Sequence, residues 1–143
     1  MSERSVAQKL LIREGQRVAL IDPPAGGATL GALPAGVMVE SAVTPATDVG
    51  VVFVRDRAAL EAVWPAVAAS LGPAAVLWIC YPKRGHGVAT DLTRDHGWGP
   101  VHAAGYDPVT QVAIDETWSA LRWRRDPALR AAREARGARV GRG

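Results

Sequence analysis

Cysteine, lysine and phenylalanine are scarce in this chain, and each shortage narrows what it can be. Cys80 is the single cysteine of 143 residues, so neither an internal disulfide nor a paired-cysteine zinc motif is available. The histidines, His86, His96 and His102, are not spaced as a helical pair of metal ligands, and no compact His–carboxylate motif accompanies them. No metal is therefore expected. A Gly-x-Ser-x-Gly elbow and a phosphate-loop signature are also missing, which argues against nucleophilic hydrolysis and nucleoside triphosphate chemistry. No apolar run is long enough to span a bilayer, and the polar opening Met1-Ser2-Glu3-Arg4-Ser5 shows no signal or anchor pattern. A cytoplasmic location with no membrane partner is the expectation.

Lysine occurs only at Lys9 and Lys83 among 17 basic residues, and the formal net charge is +3. That charge is unevenly spread. From Arg124 onward seven arginines face only Asp126 and Glu134, a net of +5, so the preceding residues carry −2. The division expected is one α/β domain over residues 1–125 and a basic helix or tail over 126–143, begun by Asp126-Pro127 and fraying beyond Gly137. Nucleic acid is a candidate partner through that tail alone, and the competing reading is a solvated extension.

The strongest structural signal is Ala75-Val76-Leu77-Trp78-Ile79-Cys80, a continuous apolar run that implies a strand buried on both faces, as in a parallel sheet. It is expected to stop at Tyr81-Pro82-Lys83. Other strands are expected at Arg17–Ile21, Val37–Glu40 and Val49–Val54. The last two, Val109–Ile114 and Thr117–Arg124, are separated only by Asp115-Glu116 and read as an antiparallel hairpin. Helices are expected over Ser5–Ile12, briefly around Thr29–Leu33, from an Asp56 cap to Gly72-Pro73 with a kink or break at Pro65, and from a Thr90 or Asp91 cap toward Gly105. Trp118 and Trp123, an odd number of positions apart, should lie on opposite faces of their strand. Core packing is the default for both, with a ligand or partner surface the alternative for one.

Leu11-Ile12-Arg13-Glu14-Gly15-Gln16-Arg17-Val18-Ala19-Leu20-Ile21-Asp22 and Leu71-Gly72-Pro73-Ala74-Ala75-Val76-Leu77 resemble the approaches to an early and a late strand of S-adenosylmethionine-dependent methyltransferases. The resemblance implies a Rossmann-like, mostly parallel, doubly wound sheet, truncated and ending in the hairpin, with strand order 2-1-3-4-6-5. A second likeness is to an uncharacterised family of small bacterial proteins. It rests on Phe53-Val54-Arg55-Asp56-Arg57, Tyr81-Pro82-Lys83, Thr90-Asp91-Leu92-Thr93-Arg94-Asp95 and Ala113-Ile114-Asp115-Glu116-Thr117-Trp118-Ser119-Ala120-Leu121-Arg122. Glu40 matches the acidic residue that holds ribose hydroxyls in the methyltransferases. Pro23-Pro24 stands where their glycine-rich loop approaches the cofactor, removing two amide donors, so the usual mode of S-adenosylmethionine binding is not expected.

In open α/β sheets ligands bind outside the carboxyl ends of the strands, which directs attention to the residues there. Lys83 is a candidate anion-binding or catalytic group, or else an exposed lysine opening a loop. Asp91 is its candidate partner, or else a helix cap. Asp22 and Arg55 are candidate ligand contacts, and with Lys83 and Asp91 they are expected to share one rim. Glu40 completes the cofactor-binding candidates. The leading expectation is a non-catalytic relative of the methyltransferase fold that binds a small ligand or a protein. The alternatives are an enzyme acting on a nucleotide-like or carboxylated small molecule, and nucleic-acid association through the tail. Self-association stays open.

Overall fold

Valine and isoleucine crowd the segments that become the middle of the sheet, and burial follows that composition. The computed structural model describes residues 5–24, 30–85, 87–125 and 135. In chain order the elements are α1 (Val6–Lys9), β1 (Arg17–Ile21), β2 (Met38–Glu40), β3 (Val49–Phe53), α2 (Arg57–Ser70), β4 (Val76–Pro82), α3 (Gly99–Ala103), β5 (Asp107–Ala113) and β6 (Trp118–Arg124). The six strands form one sheet in the order β2-β1-β3-β4-β6-β5. Neighbours are parallel from β2 to β4, while β6 runs antiparallel to both β4 and β5. This is the expected α/β class and strand order. The tail beyond Arg125, apart from Ala135, and the expected start of a helix at Thr29 lie outside the described residues.

All five residues of β3 are buried, and β4 is buried from Leu77 to Pro82. Because strand side chains alternate, these two strands feed a separate apolar layer on each face. On one face Ala19, Val52, Leu77, Ile79 and Leu121 pack beneath Leu60, Trp64 and Val67 of α2 and Val101 of α3. On the other, Val18, Val51, Phe53, Trp78 and Ala120 pack against Ala7, Leu10 and Ile12 around α1. Trp118 and Trp123 fall into opposite layers, as their spacing requires. The one-turn α1 is held by a Ser5–Gln8 capping box and by the Trp78 Nε1–H donating to the Leu10 carbonyl at 2.9 Å.

Several boundaries differ from expectation for identifiable reasons. The fourth strand does not stop at Cys80: Tyr81 pairs with Ser119 and Pro82 with Trp118, because the returning β6 supplies ladder partners beyond the reach of β3. Pro65 does not break α2, which runs through it; the residue is exposed, so water can satisfy the Glu61 carbonyl that loses its amide partner. The first helix ends at Lys9 rather than Ile12, with Leu11 in the left-handed region at φ 65°. Residues 30–34 are not helical. The helix expected from residue 90 shrinks to α3, since Gly97 turns the chain at φ 101° and packs so closely that a Cβ there would sit 2.5 Å from Leu92 Cδ2. The hairpin turn is closed by Asp115, whose Oδ1 accepts from the amides of Thr117 and Trp118, each at 2.8 Å. No helix among the described residues is long and apolar enough to cross a membrane.

Trp78→Phe keeps an aromatic ring but strands the Leu10 carbonyl, so urea denaturation should show a loss of about 1–3 kcal/mol. Cys80 is fully buried and desolvation pushes its thiol far above the ordinary range. Ellman's reagent should therefore not modify the native protein at mildly alkaline pH, while adding denaturant should release one reactive thiol. Rapid labelling without denaturant would contradict the packing of β4.

Candidate functional site

A cavity of about 480 Å³ opens at the carboxyl ends of β1 and β3, walled by Asp22, Pro24, Phe53, Arg55, Ala59, Val88 and Trp118. Its volume lies within the usual range for small-molecule sites, roughly 300–1,000 Å³. The parallel register of β1 and β3 brings Asp22 and Arg55, each just past its strand, to the same border. Phe53 and Trp118 meet edge to face with ring centroids 5.2 Å apart, which gives the cavity a rigid aromatic wall. Asp22 adopts φ 53°, a left-handed conformation that aspartate tolerates better than most residues. Among the described residues, neither the Asp22 carboxylate nor the Arg55 guanidinium makes a hydrogen bond or ion pair.

The amino terminus of α2 adjoins this cavity through Ala59, but two of its donors are already used. Asp56 Oδ1 accepts from the Ala59 amide at 2.9 Å, and Asp91 Oδ1 accepts from the Arg57 amide at 2.8 Å. Positive charge for an anionic ligand group therefore comes chiefly from Arg55. Asp91 does cap a helix, although not the one that follows it in sequence. A contact across 34 positions has no local signature, which is why the sequence assigned the cap to the wrong helix.

The four-residue rim expected from the sequence divides. Asp22 and Arg55 share a cavity; Lys83 lies in the wall of another, of about 290 Å³, with Tyr81, Leu92, Arg94, Gln111 and Ser119. Lys83 Nζ donates to the Asp115 carbonyl at 2.7 Å and its amide donates to the Thr117 carbonyl at 2.7 Å, so the residue clamps the hairpin turn onto the end of β4. Beside it the Tyr81 hydroxyl donates to Gln111 Oε1 at 2.8 Å, and burial raises the phenol above its usual range. Asp91, bonded to Arg57, does not pair with Lys83.

Glu40 stands apart from all of these. It pairs in register with Ala19, two positions short of the end of β1, and its Oε2 accepts from Arg17 at 2.7 Å (Nη2) and 3.2 Å (Nε). Arg17 opens β1, so this bond draws the carboxylate back along the strand, away from the ligand border. His86 lies outside the described residues, and His96 closes a tight turn with Thr93. His102 packs against Trp123 near Asp107. Among the described residues, no group of three or more His, Cys, Asp or Glu side chains gathers to hold a metal.

Phe53, Ala59, Val88 and Trp118 were not singled out as cavity residues by sequence, apart from the open question over the two tryptophans. Apolar residues at strand ends look the same whether they line a cavity or fill a core.

A scan against protein-family models and a search of curated proteins each find no match. Among solved structures the chain is similar to the DhpI–SAH complex, with 14% identity, 85% of this chain and 83% of that chain covered, and a TM-score of 0.50. At that identity the likeness speaks to fold alone. Together with the order β2-β1-β3-β4-β6-β5 and the antiparallel return of β6, it places this chain's architecture in the methyltransferase-like fold.

Proposed function

We propose that this protein is a methyltransferase-like binding module, cytoplasmic and non-catalytic, that holds a small charged ligand in the cavity between Asp22 and Arg55. The observation that carries the reading is the pairing of an aromatic wall with two opposite charges that have no described partner. A flat or apolar ligand body packs against Phe53 and Trp118, an anionic group meets Arg55, and a cationic or hydroxyl group meets Asp22. Arginine suits a carboxylate or phosphate because its planar fork donates two parallel bonds.

The DhpI structure holds SAH, which makes SAH and S-adenosylmethionine the first probes. Binding in the usual methyltransferase manner is not part of the proposal. Pro24 stands in the cavity wall and offers no amide, and Glu40 is not among the wall residues, its Oε2 being bonded to Arg17. The enzyme reading relied on Lys83 and Asp91, and both are engaged with main-chain groups in separate places. The stretch Phe53-Val54-Arg55-Asp56-Arg57 supplies two residues of the cavity wall.

Thermal-shift and calorimetric titration with SAH, S-adenosylmethionine, adenosine monophosphate and methionine should find a ligand that stabilises the native state. At a concentration of 100 Kd the gain is about 2.7 kcal/mol. Arg55→Ala should weaken binding about tenfold or more, as expected for losing a bond to a charged group. Lys83→Ala should leave it unchanged. Affinity that survives both Arg55→Ala and Asp22→Ala would remove this cavity from consideration, and turnover abolished by Lys83→Ala would restore the enzyme reading. Asp91→Ala should cost about 1 kcal/mol of stability through the lost cap on α2, with ligand affinity retained.

A further inference from the structure

The opposite border of the sheet carries a second cavity that the function proposed above does not use. It has a volume of about 410 Å³ and lies where β4 begins and β6 ends, walled by Pro73–Val76, Tyr106, Arg122, Trp123, Arg124 and Arg125. We infer that this cavity is a binding site for a phosphate group, held by Arg122 and Arg125.

Arg122 and Arg124 lie in β6 and Arg125 just past its end. Alternation sends Arg122 and Arg124 toward one face, Arg125 lies near Gly105 after α3, and all three line the cavity. No acidic residue stands among its described wall residues. Like charges crowded around a concavity repel one another and raise the local potential, and a dianion relieves that repulsion. Among the described residues, neither the Arg122 nor the Arg125 guanidinium makes a hydrogen bond or ion pair. Trp123, also in the wall, is buried, and its indole Nε1–H has no hydrogen-bond partner.

Trp123 thus contributes an apolar floor to the cavity, and the polar contacts there fall to the arginines. The described wall offers guanidinium donors with no acid among them. Phosphate, with several acceptor oxygens and up to two charges, matches that set, and the fork of arginine binds it bidentately. The volume leaves room for an organic group beside the phosphate. Both a phosphorylated small molecule and the backbone of a nucleic acid present this chemistry.

Calorimetric titration of the full chain at low salt with ribose 5-phosphate and, separately, with a short oligothymidylate tests the inference. At least one probe should bind, and Arg122→Ala/Arg125→Ala should weaken that binding about tenfold or more. Arg55→Ala should leave it unchanged, which separates this site from the cavity at the other border. Loss of ribose 5-phosphate binding in the double variant identifies a small phosphoester site; loss of oligonucleotide binding alone identifies a nucleic-acid backbone as the source. The single exposed change Arg125→Glu should reproduce the loss if the double variant melts early. The inference is overturned if neither probe binds, if affinity survives both variants, or if oligonucleotide binding disappears only on truncation after Arg125.

Discussion

Two-sided burial of β4 is the constraint on which the other elements depend. The strand is hydrogen-bonded along one edge to parallel β3 and along the other to antiparallel β6, and its faces feed both apolar layers. Trp78 links it to α1 through the Leu10 carbonyl, while Leu77 and Ile79 take part in the layer beneath α2. A strand enclosed in this way cannot slip by one residue without exchanging its two sets of side chains. Its neighbours therefore terminate at defined places, and two borders with different chemistry result.

At the carboxyl border the strands end in loops that must satisfy their own backbone before they can serve a ligand. Asp56, Asp91 and Asp115 are used in this way, on the first turn of α2 and on the hairpin turn. Lys83 is used similarly, against the Asp115 carbonyl. Asp22 and Arg55 are not used in this way, and they share an aromatic wall. Much of the polar sequence near this border thus holds the loops in place, and the candidate site is smaller than the number of charges suggests.

The other border is set by the return of β6 between β4 and β5. That return carries Arg122, Arg124 and Arg125 to the start of β4, beside the turn Pro73–Ala75. The same topological choice lengthens β4 past Cys80, since β6 offers it partners that β3 does not reach. One antiparallel insertion in a parallel sheet therefore shapes both ends of the molecule. It brings Trp118 to the ligand border and Trp123 to the basic one.

The fold class was legible in the residues because a run such as Val76–Cys80 tolerates no environment except burial on both faces, and the hairpin was legible because Asp115-Glu116 leaves no length for a crossover. Strand order came from resemblance to methyltransferases, since periodicity carries no information about which strands adjoin. The site was legible only in part. Asp22 and Arg55 follow adjacent parallel strands and meet, whereas Asp91 and Glu40 are drawn away by partners 34 and 23 positions distant. Local pattern dictates which segments must be buried, because the cost of exposing apolar surface depends on each segment's own composition. Which charges remain available to a ligand depends on pairings between remote residues, and those exist only once the sheet has closed.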